Sequence, residues 1–96
     1  MATYVTLARW TDQGSKNVKD TVQRTQQYRH DCERRGIKVL GVFWTQGRYD
    51  MVAFVDAPDE QAMMANALAM RSQGNIRTET LRGFTETEID AILRKL

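Results

Sequence analysis

The sequence contains few of the residues that build disulfide frameworks and metal sites. It holds one cysteine, Cys32, and one histidine, His30, among 96 residues. A lone cysteine cannot close a disulfide within the chain, and zinc sites draw most of their ligands from cysteine and histidine. On a helix, side chains of one face are three or four residues apart, so this pair points to different sides. We therefore expect neither a disulfide framework nor a metal site.

Long hydrophobic runs are also missing. The longest apolar stretches, 39–44 and 51–55, are far below the roughly 20 residues that a helix needs to span a bilayer. The first residues lack the basic segment and apolar run of a secretory signal peptide. We therefore expect no membrane partner, and we expect the protein to reside in the cytoplasm.

Charge of one sign is not concentrated anywhere in the chain. The 14 basic and 12 acidic residues leave a net charge of +2 and are interspersed. Nucleic-acid-binding surfaces usually group the basic residues that neutralise phosphates. The most basic segment, a helix predicted over 16–35, is interrupted by Asp20, Asp31 and Glu33, which favours a solvated helix face. We expect no nucleic-acid partner.

The chain does contain an orderly succession of strand and helix patterns. Its length allows one hydrophobic core, and 42% of its residues are apolar, which predicts a single folded domain over 1–96. Strands are predicted over 3–10, 37–45, 48–56 and 75–84, and helices over 16–35 and 61–73. A capping box at Thr85 to Glu88 begins a third helix. This β-α-β-β-α-β order predicts an α+β, ferredoxin-like fold with a four-stranded antiparallel sheet and an added C-terminal helix.

A tight turn predicted at Gln46 and Gly47 assigns the faces of the central hairpin. One face would carry Leu40, Val42, Trp44, Tyr49, Met51 and Ala53, and the other Val39, Phe43, Asp50, Val52 and Phe54. Both faces are apolar, although two helices can cover only one. A large exposed apolar face normally marks an interface, so we expect a homodimer or a higher homo-oligomer.

The terminal helix carries an apolar stripe that must also dock. Its members are Ile89, Ile92, Leu93 and Leu96, spaced along one helix face. The stripe fits either the chain's own sheet or the sheet of a neighbouring copy.

The segment Gly47-Arg48-Tyr49-Asp50 resembles the signature of the GYD family, small proteins named for that pattern. The similarity in order and spacing extends to Tyr4, 11–14, 17–20, 57–59 and 74–82, essentially the whole chain. The resemblance implies a ferredoxin-like fold of the dimeric α/β-barrel kind, in which two sheets pair face to face. It implies no established reaction.

Asp50 is the most informative candidate for a functional residue, because it is a carboxylate predicted among apolar side chains. Burying it unpaired would be costly. It therefore either accepts backbone hydrogen bonds or pairs with an arginine such as Arg82, or it serves as a general base or ligand anchor in a pocket. Only the surroundings of Asp50 can distinguish these readings.

Aromatic side chains are the natural walls of such a pocket. Trp44 and Tyr49 either pack against each other across the hairpin or form a pocket wall. Arg82 either prevents unwanted pairing of an edge strand or binds a ligand carboxylate or phosphate. The candidate ligand-binding residues are Thr6, Trp10, Trp44, Tyr49, Asp50 and Arg82.

The sequence has no phosphate loop, dinucleotide fingerprint or nucleophile elbow, and no cofactor is expected. Two functional hypotheses remain. The first is a homo-oligomeric accessory or sensing protein that binds a small, partly apolar metabolite. The alternative is a cofactor-free enzyme, monooxygenase- or isomerase-like, with Asp50 as its base. Fold alone does not decide between them, because function resides in sites.

Overall fold

The strands and helices follow one another in the predicted order. In the computed structural model, which describes residues 1–96, the strands are β1 (Ala2–Trp10), β2 (Lys38–Trp44), β3 (Met51–Ala57) and β4 (Ile76–Gly83). The helices are α1 (Asp12–Lys16), α2 (Thr21–Arg34), α3 (Glu60–Ser72) and α4 (Glu86–Leu93). All neighbouring strands are antiparallel, in the order β2-β3-β1-β4. The predicted α+β, ferredoxin-like class is therefore confirmed.

The helix predicted over 16–35 begins earlier and is interrupted. Thr11 is the N-cap, since its side chain accepts the N–H of Gly14 at 3.1 Å and starts the short helix α1. A turn of 3-10 helix at Val18–Asp20 then leads into α2. Asn17 between them lies at φ −101° and ψ 25°, outside regular helix geometry, so the chain turns here instead of continuing one helix.

The hairpin loop between β2 and β3 is longer than predicted. Trp44 pairs with Met51, and the N–H of Thr45 donates to the Asp50 carbonyl at 2.8 Å, so residues 46–49 form the loop. Gly47 adopts a φ of 112°, a region that favours glycine. The predicted partner of Trp44 was Tyr49, two residues away. A register shift of two residues keeps the side chains of both strands on their predicted faces.

A bulge in β2 moves one residue to the other face of the sheet. The register shifts between Val39 and Gly41, so Val39 pairs with Val55 and packs against the core instead of facing away from it. An extra residue in one strand reverses the alternation beyond it, which sequence alternation alone does not reveal.

Helices α2 and α3 cover one face of the sheet and enclose the core. The buried cluster consists of Tyr4, Cys32, Ile37, Val55, Ala57 and Met63. Cys32 is fully buried, where a free cysteine packs as a small hydrophobic residue. The strand members of the cluster, Tyr4, Val55 and Ala57, lie at the end of the sheet where β1 begins and β3 ends. At the other end of this layer, near Trp10, a cavity lies between the helices and the sheet.

The opposite face of the sheet has no helix over it, and we call it the open face. Its apolar side chains are Val5, Leu7, Phe43, Val52, Phe54 and Leu81. Phe43 is 57% exposed, Leu81 45% and Phe54 37%. The rings of Phe43 and Phe54 meet edge to face with their centres 6.2 Å apart. The prediction of a second, uncovered apolar face is therefore confirmed.

Helix α4 begins at the predicted capping box, in which the Thr85 and Glu88 side chains each accept the other residue's backbone N–H. Its stripe of Ile89, Ile92 and Leu93 is exposed to solvent. Of the two docking sites considered for this stripe, the chain's own sheet does not cover it. None of the helices has the length and apolar character that crossing a membrane requires.

Candidate functional site

A cavity of about 80 Å³ lies between the sheet and the helices, beyond the core. Its floor comes from Thr6, Ala8 and Trp10 on β1 and from neighbouring residues of β3 and β4. Its walls come from α2 between Thr21 and Asp31 and from the end of α3. A space of this size admits several water molecules or a molecule of a few heavy atoms.

The cavity exists because the side chains that face it are short. Thr6, Ala8 and Ala53 form adjacent positions of β1 and β3, and α2 presents Thr21 and Thr25 above them. These side chains are too short to fill the space between the sheet and the helices, which larger residues fill in the core. Val22 adds nothing to this layer, since it lies on the outer side of α2 and is 56% exposed.

Three buried polar atoms around the cavity have no hydrogen-bond partner: Thr6 Oγ1, Trp10 Nε1 and Arg24 Nη2. Thr6 is only 5% exposed. Leaving a buried donor or acceptor unsatisfied costs about 1–3 kcal/mol, and such groups are rare in folded proteins. Their concentration around one cavity marks it as the candidate site.

Of the six predicted ligand-binding residues, the structure brings Thr6 and Trp10 together at this cavity. Trp44 lies just outside its lining, where its Nε1–H donates to Thr21 Oγ1 at 3.0 Å. Tyr49 is farther away, and its hydroxyl donates to Glu79 Oε2 at 2.8 Å. This bond to a carboxylate raises the pKa of the Tyr49 phenol.

Asp50 does not line the cavity, but it holds a residue that does. Its Oδ2 accepts the backbone N–H of Trp10 at 2.9 Å, and its own N–H donates to the Ala8 carbonyl at 2.9 Å. These bonds tie the base of the β2–β3 loop to the end of β1, and one carboxylate oxygen of Asp50 takes part in them.

Arg82 lies at the other end of the molecule. Its guanidinium stacks over the rings of Tyr4 and Phe84, at 5.7 and 4.5 Å from their centres, and pairs with Glu88 at 3.6 Å. It therefore connects β4 to the start of α4. Arg82 and Asp50 do not share a site.

Sequence reasoning missed the contribution of α2, above all Arg24. The signal was present as polar residues at helical spacing, Thr21, Arg24, Thr25 and Tyr28, which repeat at intervals of three and four. These residues looked like part of a solvated face because α2 is rich in polar side chains. Only the packing shows that this polar stripe faces the sheet.

A buried polar cluster lies between the cavity and the core. Asn66 Nδ2 donates to Cys32 Sγ at 3.4 Å, and Arg35 Nη1 donates to Asn66 Oδ1 at 3.1 Å. Burial raises the pKa of the Cys32 thiol, and it raises the pKa of the adjacent Tyr28 phenol strongly. Both groups therefore remain protonated in the folded protein at neutral pH.

This cluster predicts a loss of stability at alkaline pH. A raised pKa contributes stability that is complete below the unfolded pKa, about 8.5 for Cys and about 10 for Tyr, and is lost as pH rises through the folded pKa. We expect the free energy of unfolding, measured with urea, to fall above about pH 8.5. The Tyr28→Phe variant cannot ionise at this position, so it should lose less than the wild type above about pH 10. Equal losses would contradict the prediction.

The connectivity, the cavity and the open face define a ferredoxin-like α+β protein with a polar pocket between its helices and its sheet. The model of the GYD domain family matches residues 4–93, and the chain belongs to this family. The predicted resemblance is therefore confirmed.

The chain is also similar to a protein of Thermus thermophilus named "Glutamine synthetase and cystathionine beta-lyase binding protein". The two are 27% identical over 95 residues, which cover 98% of this chain and 100% of that protein. The two chains therefore match over their whole lengths.

Proposed function

We propose that this protein is a homodimeric accessory protein that acts by binding a small, partly apolar metabolite and other proteins. The observation that carries the proposal is the open face. Several of its apolar side chains, including Phe43, Phe54 and Leu81, are exposed in the single chain. A contiguous exposed apolar surface of this kind typically marks an interaction site.

The occupant that we propose for the open face is a second copy of the chain. A two-fold interface must be self-complementary, because the same patch serves both partners. The open face meets this requirement, with apolar residues at its centre and both charge signs on the same face, as Lys38 and Arg77 accompany Asp56 and Glu79. Two open faces packed together would form the dimeric α/β barrel that the family resemblance implies.

Helix α4 supports the same arrangement. Its apolar stripe of Ile89, Ile92 and Leu93 is exposed and does not cover its own sheet. The remaining alternative from the sequence is the neighbouring copy. We propose that α4 packs on the partner, which would bury both exposed apolar surfaces in one assembly.

A role in binding other proteins is supported by the relative of Thermus thermophilus, whose name assigns it two enzymes as partners. We infer that this chain also acts on enzymes by binding them, and that a glutamine synthetase and a cystathionine β-lyase are the first candidates. A catalytic role of Asp50 stays a prediction, and its contacts with Trp10 and Ala8 do not favour it.

Binding to these two enzymes can be measured directly by biolayer interferometry with the purified chain immobilised. We expect saturable binding at micromolar or lower concentrations of at least one enzyme from the same organism. An unrelated oligomeric enzyme of similar net charge serves as the control. If neither enzyme binds better than this control, the proposed role in enzyme binding is wrong.

A further inference from the structure

The unpartnered groups at the cavity specify the chemistry of an occupant. Trp10 Nε1–H and Arg24 Nη2–H can only donate hydrogen bonds, whereas Thr6 Oγ1 can donate or accept. An occupant that satisfies them must therefore present acceptor oxygens. Because one donor belongs to a guanidinium, the best complement is an anionic oxygen.

Arg24 is held in position by the protein itself. Its Nη1 donates to the Asn17 carbonyl at 2.7 Å, while Nη2 remains buried without a partner. The bend at Asn17, which separates the 3-10 turn from α1, supplies this carbonyl. One half of the guanidinium is thus anchored, and the other half remains available to a ligand.

Trp10 is fixed in a comparable way through the main chain. Asp50 Oδ2 accepts its backbone N–H, and the next residue, Thr11, donates its N–H to the Asn75 carbonyl at 3.0 Å and its hydroxyl to the Gly74 carbonyl at 2.6 Å. The end of β1 is therefore held from two sides. Donors that need no rearrangement on binding lose little affinity to ordering.

A carboxylate of the protein does not already fill the anion position. Asp31 is the one acidic residue in the cavity lining. Its Oδ1 accepts hydrogen bonds from Arg34 at 2.6 Å and Gln27 at 3.2 Å, and the Arg34 guanidinium lowers the pKa of this carboxyl. The side chain is therefore engaged by its own helix.

Apolar side chains form one part of the remaining lining, beside polar ones such as Thr25, Gln73 and Thr78, and the cavity limits the size of the ligand. The carbon surface comes from Ala8, Val42, Met51, Ala53, Met70 and Ile76. With about 80 Å³ available, the occupant is an organic acid of a few carbon atoms. We propose that the cavity binds the carboxylate of a small organic acid through Arg24, Trp10 and Thr6, with its short apolar part against the methionines and alanines. This inference rests on the proposed metabolite-binding role and adds the ligand class and a residue, Arg24.

The two tryptophans provide a site-specific test. Trp10 lines the cavity and its Nε1–H has no partner, whereas Trp44 lies outside the lining with its Nε1–H bonded to Thr21, so the Trp44 indole signal is an internal control. We would titrate the 15N-labelled protein with acetate, propionate and butyrate, with butyramide as the uncharged analogue of butyrate. The Trp44→Phe variant assigns the two indole signals.

We expect a saturable shift of the Trp10 indole signal with at least one of the three acids. Butyramide should bind at least about tenfold more weakly than butyrate. Arg24→Gln should weaken binding of the acid about tenfold to a hundredfold, because a charge-assisted hydrogen bond is lost. Arg29→Gln, on the exposed side of the same helix, makes the same charge change and should leave the affinity unaltered. Thr6→Val should also weaken binding while raising the stability of the ligand-free protein, since it removes an unpaired hydroxyl.

The carboxylate site is ruled out if no acid shifts the Trp10 signal or if butyramide binds as well as butyrate. It is also ruled out if inorganic phosphate binds and none of the three acids does. An unchanged affinity in both Arg24→Gln and Thr6→Val would overturn it as well. Native mass spectrometry of the wild type after incubation with a metabolite extract distinguishes a wrong ligand class from a wrong metabolite-binding role. Retention of an uncharged metabolite would overturn only the ligand class, whereas retention of none would also overturn the metabolite-binding role.

Discussion

Replacing Gly14 with alanine is expected to cost about 2 to 4 kcal/mol of the free energy of unfolding, the sum of overpacking and a broken hydrogen bond. A Cβ atom at Gly14 would lie 2.0 Å from the Asn75 carbonyl oxygen and 3.0 Å from its carbon. These are backbone atoms, so no side chain can rotate away. Helix α1 would have to move from the start of β4, breaking the bond from Thr11 N–H to the Asn75 carbonyl.

The matched control for this prediction is Gly83→Ala. A Cβ at Gly83 would make ordinary contacts at 3.6 Å with Thr3, and neither glycine has a positive φ, so backbone strain does not distinguish the two substitutions. We expect Gly83→Ala to change the unfolding free energy by less than about 1 kcal/mol. Urea denaturation followed by circular dichroism measures both variants. Equal effects would show that α1 is not closely packed against β4.

The elements that the sequence predicted well are those specified by local patterns. β1 follows from the alternation around Val5 and Leu7, and α4 from the capping box that Thr85 begins. The bend at Asn17 and the bulge before Gly41 were missed because no local preference requires them. The bend allows α1 to pack by Gly14 against Asn75, and the bulge lets Val39 reach the core. Such features are decided by tertiary packing.

The candidate site was predictable only in part for the same reason. Alternation along β1 placed Thr6 and Trp10 on one face, and the structure keeps them together. The position of Arg24 depends on the rotation of α2, which the many polar side chains of this helix do not define. Asp50 and Arg82 were grouped because both carry charge, although β1 places Asp50 beside Trp10 and Arg82 beside Tyr4 at its opposite ends.

The proposed dimer implies that Phe54→Asp will raise the dimer dissociation constant about a thousandfold. Phe54 lies opposite Val5 in the sheet, and its ring meets Phe43 on the open face. Removing a central aromatic anchor typically costs about 2 kcal/mol, and a two-fold interface contains each residue twice, so the total is about 4 kcal/mol. The buried carboxylates would add further cost.

Folding of the Phe54→Asp chain should persist, because the side chain is already 37% exposed and is not part of the buried cluster between the helices and the sheet. Val22→Asp is the matched control, since it makes the same kind of apolar-to-acid change on the outer side of α2, away from the open face. Sedimentation velocity over a range of concentrations should show a dimer for the wild type and for Val22→Asp, and a folded monomer for Phe54→Asp. A wild-type protein that remains monomeric at micromolar concentration, or a Phe54→Asp variant that dimerises as the wild type does, would mean that the open face is not the interface. In the second case, the exposed stripe of α4 would be the surface on which to repeat the substitution.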